Sequence, residues 1–289
     1  MPTPLQNPFL SSSWLKNCGA KGFVFKGVCA LANTSLKGIT ATITPPWALD
    51  CGLTLNNDIK KGYKSFAIGL ANLKSPIIIV DLPPACERSK GLSTAIIKQN
   101  TPSSIRLQWR HTRILEIPTK LPSNRRKQLN KAEREGIRCE VVEDWKKVYE
   151  LHNISRKRKG LSNESSQLKT LLDAIGSEDY SFALEAKNSE GKCIASGGFI
   201  MVSKNRCLYA FGGQKRVENS AIASITMLNH AMKEALERGA TEFDFGGSED
   251  PGVDRFYKEF GAKSVPKARL MKVAWWLKPL VRLARPDLF

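Results

Sequence analysis

The chain has 289 residues, 42% of them hydrophobic and 25% charged, with a formal net charge of +18. That length and composition exclude a disordered or fibrous chain and allow two domains with cores of ordinary size. Seven Cys without a C-x-x-C pair, and only His111, His152 and His230, argue against a zinc cluster, so no metal is expected.

The first residues, MPTPLQNPFLSSSW, lack the charged start and apolar run of a signal peptide. The longest apolar run, PIIIV at 76–80, is far short of the roughly 20 residues that cross a bilayer and reads as a buried strand. A cytoplasmic protein with reduced thiols is expected, in which Cys139 and Cys207 are small core residues. Residues 1–120 carry a net +10, 121–160 a net +6, 161–262 a net −4 and the last 27 residues a net +6. A basic first half and a basic tail around a mildly acidic segment suggest a polyanionic partner beside a separate chemical centre. A solvated Lys/Arg surface would carry the same charge, and charge alone gives only nonspecific attraction.

In chain order, the first 120 residues read as β-prone runs: GFVFKGVCALA (22–32), ATITPPW (41–47), KSFAIGLANL (64–73), SPIIIVDL (75–82) and SIRLQWRHTRILEI (104–117). Gly, Pro and Asn separate them. The character changes near residue 120, which sets the expected domains at 1–120 and 121–289. LPSNRRKQLNKAEREG predicts a helix capped by Ser123 and stopped by Gly136. Only Leu129 and Ala132 are apolar there, so Arg125, Arg126, Lys127 and Lys131 form a cationic face suited to phosphates or to solvent. The helical run DWKKVYELHNIS leads into a second basic cluster, SRKRKG at 155–160.

YSFALEAKN (180–188) and KCIASGGFIMVS (192–203) read as strands of a hairpin, and RCLYAFGG (206–213) as the next strand. Asn219 or Ser220 then caps a long helix with Ile222, Ile225, Met232 and Leu236 at 3–4 residue spacing, stopped by Gly239. TEFDFGG returns as a strand. The order is α+β, with a helix packed on a mostly antiparallel sheet.

In FDFGGSEDPGVDRFYKEFGAK (243–263), Phe243 and Phe245 are expected to bury on one side of a strand, with Asp244 on the other. Gly246 and Gly247 permit close backbone approach or positive φ. Ser248, Glu249 and Asp250 read as turn residues before Pro251. Asp254 is expected to cap a short helix presenting Arg255, Phe256, Tyr257 and Lys258, with Phe256 and Phe260 as core anchors. No Ser-His or Cys-His pair sits in a nucleophile setting, which leaves positioning and electrostatics as the catalytic means.

As a set, SGGFIMV…LYAFGG…MLNHAMKEALERGATEFDFGGSEDPGVDRFYKEFGAK resembles the C-terminal half of the FemAB-like transferases, which are tandem GNAT-fold proteins. The resemblance is strongest over 120–263 and extends weakly to NPFLSSSWL at the start. It implies two tandem GNAT-like domains, each a mostly antiparallel sheet flanked by helices. Residues 1–120 would be a degenerate copy that binds the acceptor, and 121–289 the transferase domain with a basic tail. The implied activity moves an amino acid from aminoacyl-tRNA to an amine of a peptidoglycan or related cell-envelope precursor. The amine attacks directly, without a covalent enzyme intermediate or a bound cofactor. Asp244, Tyr257 and Lys258 are then the catalytic candidates. Arg125, Arg126, Lys127, Tyr209, Gly246, Gly247, Arg255 and Phe256 are the substrate-binding ones. Many relatives carry Phe-Lys where this chain has Phe256-Tyr257; Lys258 comes one residue later, about 100° further round the helix.

Two other readings compete. One is an acyl-CoA-dependent N-acyltransferase acting on a polysaccharide, lipid or small-molecule amine. Its pyrophosphate pattern, Q/R-x-x-G-x-G/A, would fall in GGQKRVENSAIAS (212–224), where Gln214 fits but Val217 and Asn219 replace Gly. Positive φ is costly for Val, which favours tRNA as the donor carrier. The other is a noncatalytic RNA- or membrane-binding module. The tail, with Trp275, Trp276, Leu277, Leu280, Val281 and Leu283 among Lys272, Lys278, Arg282 and Arg285, reads as a final strand and helix packed on the domain. It reads equally as a peripheral contact of 263–289 with the inner membrane surface. A monomer is expected.

Overall fold

The chain passes three times between two compact units, rather than dividing once near residue 120. In the computed structural model, Met1–Cys18 and Thr112–Ser264 form one compact unit, and Gly19–His111 and Val265–Phe289 form a second. The structure describes residues 7–24, 28–36, 38–55, 58–85, 91–161, 166–247 and 250–284. Ser248, Glu249 and Arg285 lie outside the described residues.

Among the described residues, unit 1 is built on six strands: β5 (Arg106–Glu116, entering the unit at Thr112), β6 (Arg138–Val142), β7 (Ser181–Lys187), β8 (Cys193–Ser203), β9 (Arg206–Gln214) and β10 (Glu242–Asp244). Their order is β5-β10-β9-β8-β7-β6, antiparallel except for the parallel pair β10 and β9. The hairpin expected at 188–191 joins β7 to β8, with Lys187 opposite Cys193. Helices α4 (Ser123–Arg134), α5 (Lys146–Arg158), α6 (Ser166–Gly176), α7 (Ser220–Glu237) and α8 (Pro251–Lys258) flank this sheet. Helix α7 presents Ile222, Ile225, Leu228 and Met232 to the core. An aromatic chain crosses the same core. Phe199 stacks on Phe182 at 5.1 Å and on Tyr209 at 5.2 Å, and Phe243 meets Phe245, which stacks on Tyr257 at 4.8 Å.

The N-terminal segment packs in this unit. A 3-10 turn (Pro8–Leu10) leads into α1 (Ser12–Asn17), capped by the Ser11 hydroxyl. Trp14 is fully buried and lies near-parallel to Phe211 at 6.1 Å, and Ser11 shares a hydrogen bond with Tyr180. The Phe and Trp of NPFLSSSWL are therefore anchors of unit 1.

Unit 2 contains β1 (Gly22–Val24), β2 (Leu31–Leu36), β3 (Ile39–Ile43), β4 (Ile77–Pro84) and β11 (Lys263–Val273), in that spatial order. The pair β3 and β4 is parallel and the rest are antiparallel. Helices α2 (Ile59–Asn72) and α3 (Thr94–Asn100) lie between strands in sequence. KSFAIGLANL is thus helical, correcting the strand expected there. Tyr63, Phe66, Ala67 and Leu70 bury at a 3.6-residue period, and the Asp58 carboxylate caps the start by accepting from the Lys61 N–H at 2.9 Å. Strand β11 pairs with β4 from Lys267 to Val273, which draws the C-terminal segment into this unit. A 3-10 turn (Trp275–Leu277) and α9 (Lys278–Ala284) follow.

Candidate functional site

Three elements of unit 1 converge at the end of β9. The Gly212-Gly213 pair lets α5 press against the strand: a Cβ at Gly213 would fall 2.2 Å from the Leu151 carbonyl oxygen and 2.3 Å from the Ser155 hydroxyl. Only glycine tolerates that approach. From the same turn of α5, His152 Nδ1 accepts a hydrogen bond from the Gly212 N–H at 3.3 Å. Burial, and then the neighbouring Arg156, push the His152 pKa down to about 4, so the ring is neutral and remains an acceptor near pH 7.

The cleft at this junction holds about 490 Å³, walled by β9, the last turn of α5, the start of α7, and α8. Tyr209, Phe256 and Tyr257 supply its aromatic wall, and Arg158, Lys159 and Arg216 its positive charge. Burial raises the pKa of both phenols well above the usual range; for Tyr257 the influence of Tyr209 and Asp244 adds to it. Both hydroxyls therefore stay protonated and can donate hydrogen bonds. Gln214 is held between two elements: its side chain accepts from the Ser224 hydroxyl on α7, and its carbonyl accepts from Arg158 on α5. The basic cluster at 155–160 begins as the last turn of α5, and this places Ser155, Arg158 and Lys159 at the cleft.

Helix α8 begins differently from the expected pattern. Its cap is Asp250, whose carboxylate accepts from the Gly252 and Val253 N–H groups at 2.8 and 3.3 Å, with Pro251 at the first helical position. Asp254, expected as the cap, instead forms a two-point pair with Arg113 on β5, at 2.7 and 2.6 Å. That pair ties the helix to the sheet and turns Val253, Phe256 and Tyr257 to the cleft.

Of the sequence-derived site residues, the structure brings Tyr209, Phe256 and Tyr257 together at the cleft. Asp244 is 4% exposed with its carboxylate occupied, accepting from the Thr112 hydroxyl and from the Gly246 N–H at 2.9 Å. Asp244 is thus buried, as are Phe243 and Phe245 on either side of it in the chain. Gly246 and Gly247, with φ of +81° and +70°, make the turn out of β10 and do not line the cleft. Lys258 is exposed on α8, outside the cleft wall. Arg255 is also exposed and pairs with Glu259 at 3.4 Å.

Arg125 departs most from a phosphate ligand. It is 1% exposed, lies over the rings of Phe256 and Phe260 at 4.6 and 4.5 Å, and donates to Gln128 and to the Phe256 carbonyl at 2.8 and 2.7 Å. It also pairs with Glu259 at 3.2 Å. Arg125 therefore clamps α4 to α8. Arg126 and Lys127 remain exposed on α4, away from the cleft. At the start of α4, Pro122 takes the capping position and Ser123 is the first helical residue.

Sequence reasoning passed over Ser155, Arg158, Lys159 and Arg216 as site residues. The signal was present: a helix ending in S-R-K-R-K and a strand ending in G-G-Q, whose glycines admit that helix.

No family model and no curated protein matches this sequence. Among solved structures the chain is similar to FemX, at 15% identity over 96% of this chain and 97% of that one, with a TM-score of 0.67. The chain has a FemX-like fold. It is also similar to L-PGS from Bacillus licheniformis (14% identity, 89% and 86% of the two chains, TM-score 0.58). A third similar structure is the C-terminal DUF2156 domain of a putative lysylphosphatidylglycerol synthetase from Agrobacterium fabrum (12% identity, 94% and 89%, TM-score 0.59). The FemAB-like α+β fold expected from the motifs is borne out.

Proposed function

We propose that this protein is an acyltransferase of the aminoacyl kind, moving an amino acid from aminoacyl-tRNA to an amine of a cell-envelope precursor. The observation that carries this reading is the cleft at the end of β9, where two protonated tyrosines, Tyr257 buried and Tyr209 partly buried, adjoin Arg158, Lys159 and Arg216. The acceptor amine attacks the ester carbonyl carbon of the donor. A C–N bond forms, the C–O bond to the ribose breaks, and the proton lost by the amine balances the one gained by the ribose oxygen. Tyr209 and Tyr257 are assigned as donors to the developing oxyanion; one such donor is worth about 3 kcal/mol of barrier. The three cations are assigned to the phosphates of the donor. Residues 19–111 are assigned to acceptor recognition.

Direct transfer accords with the thiols. Burial pushes the Cys139 pKa up to about 12 and that of Cys193 up to about 11, and holds Cys207 higher still, so none is poised as a nucleophile. Aminoacyl-tRNA is preferred over acyl-CoA because of the segment joining β9 to α7. Its Lys215 and Ser220 N–H groups are already bonded to the Ile194 and Val217 carbonyls. Asn219 there adopts φ +62°, whereas Val217 stays out of the left-handed region. The segment thus lacks the glycines, at Val217 and Asn219, that would turn a run of N–H groups onto a pyrophosphate.

The test is intact mass of lipid-linked and nucleotide-linked cell-wall precursors after incubation with the protein and either charged tRNA or acetyl-CoA, with and without RNase. The expected result is a gain of one amino-acid residue that RNase abolishes. RNase-resistant acetylation would select the acyl-CoA reading, and RNA binding with no product from either donor would select a noncatalytic binder.

A further inference from the structure

Among the described residues, the four most exposed large hydrophobic side chains all fall between 275 and 283: Leu283 (86%), Trp275 (81%), Leu280 (60%) and Trp276 (53%). The segment is nonetheless fixed. Leu277 is fully buried against Ala41 and Ile77, with Val273 and Val281 packed beside it. The element therefore has two apolar faces. Leu277 and Val281 dock it on unit 2, while Leu280, Leu283 and the two tryptophans leave an apolar surface to solvent. Burying one face explains the fold of this segment. It does not explain the second.

Positive charge surrounds that outer face. Lys278 and Arg282 are exposed on α9 and line a groove of about 920 Å³ within unit 2, together with Arg106, Lys272, Ser103 and Ser104. Among the described residues that line the groove, none is acidic. Lys272 is committed to the Ala71 and Leu73 carbonyls and contributes its charge from the groove wall. Along the sequence no Asp or Glu occurs between Glu259 and Asp287. Exposed Trp and Leu flanked by Lys and Arg match the boundary of an anionic bilayer, where indole rings settle at headgroup level and cations pair with lipid phosphates. An RNA partner would use the cations but leave the leucines in water.

We infer that the 3-10 turn at Trp275–Leu277 and α9 form a docking face for an anionic phospholipid surface. Trp275, Trp276, Leu280 and Leu283 enter the interface, and Lys278 and Arg282 bind headgroup phosphates beside the groove. The face needs no transfer chemistry, so vesicle binding tests it separately from the transferase reading.

The experiment is co-sedimentation of the full chain with vesicles of mixed phosphatidylglycerol and phosphatidylcholine, and with pure phosphatidylcholine. The expected result is binding to the anionic vesicles only, weakened by salt. Trp276→Ser with Leu283→Ser, and separately Lys278→Glu with Arg282→Glu, should each weaken binding at least tenfold. Leu283→Ser alone, at the most exposed of these sites, should weaken it severalfold without changing the melting temperature. Three results would overturn the inference: absence of vesicle binding, equal binding to neutral vesicles, or binding that these variants leave unchanged. A concentration-dependent dimer abolished by the Trp276/Leu283 variant, with no vesicle binding, would assign the face to a second copy of the chain instead.

Discussion

The cleft of unit 1 and the C-terminal face of unit 2 are made of the same two ingredients, aromatic rings and basic side chains, in opposite states. Tyr257 is 8% exposed and packed on Phe245, whereas Trp275 is 81% exposed. Enclosure raises the pKa of a phenol and makes it a dependable donor in a site of low dielectric. Exposure leaves an indole with unfulfilled apolar area and makes it an anchor. Composition alone does not separate these roles; what each ring packs against does. Substitutions in the cleft should therefore act on chemistry and fold, and substitutions on the outer face on association alone.

The most disruptive change expected is Gly213→Val. Its side chain would collide with the backbone of α5 at Leu151, separating the helix from β9. Transfer should fall at least a hundredfold, with a stability loss of about 4 kcal/mol measured by urea unfolding. Wild-type activity in this variant would show that the junction of α5 and β9 is not the site.

Next in size is Arg125→Ala. Removing the clamp costs two ring contacts and the hydrogen bond to the Phe256 carbonyl, about 2–4 kcal/mol. Lys127→Ala, on the exposed side of the same helix, should stay within about 0.5 kcal/mol. Equal effects would contradict the division between a structural Arg125 and its solvated neighbour.

A pH effect of similar or smaller size belongs to His152. Its pKa is about 4 in the fold against 6.5 in the unfolded chain, so folding favours the neutral ring. That stabilisation is complete above pH 6.5 and is lost as pH falls from 6.5 through 4, amounting to about 3 kcal/mol. Protonation also removes the acceptor for the Gly212 N–H. Urea midpoints of wild type and His152→Gln should converge toward pH 4, and parallel curves would exclude this residue as the cause. The smallest effect is expected for Lys258→Ala, exposed and outside the cleft, which should change the transfer rate less than threefold.

Much of unit 1 was legible in the sequence because its signals are local. The hairpin at 188–191, the apolar spacing along α7 and the Gly-Gly turn after β10 each depend on neighbouring residues. KSFAIGLANL misled because Phe66, Ala67, Ile68 and Leu70 form a short apolar run that suits a strand as well as a helix; Asp58 and Tyr63 complete the helical pattern from outside that run. The site was legible only in part. Tyr209, Phe256 and Tyr257 were found through the motif that contains them. Arg125 looked like its neighbours Arg126 and Lys127, and nothing in RRK says which side chain lies beneath two rings contributed from more than 130 residues away. The assignment of the cap to Asp254 failed for a similar reason. Asp250 is closer to the helix start, and Asp254 is claimed by Arg113 from a distant strand. Long-range pairing decided both.

The central claim is that the enclosed tyrosines of unit 1 serve the reaction. The most direct measurement is the single-turnover transfer rate of Tyr209→Phe, Tyr257→Phe and the double variant, with tRNA affinity and melting temperature recorded in parallel. The account predicts a rate loss of about tenfold or more for at least one single variant and a larger loss for the double, equivalent to more than about 1.4 kcal/mol of barrier, at unchanged affinity and stability. A double variant that transfers at the wild-type rate would contradict it.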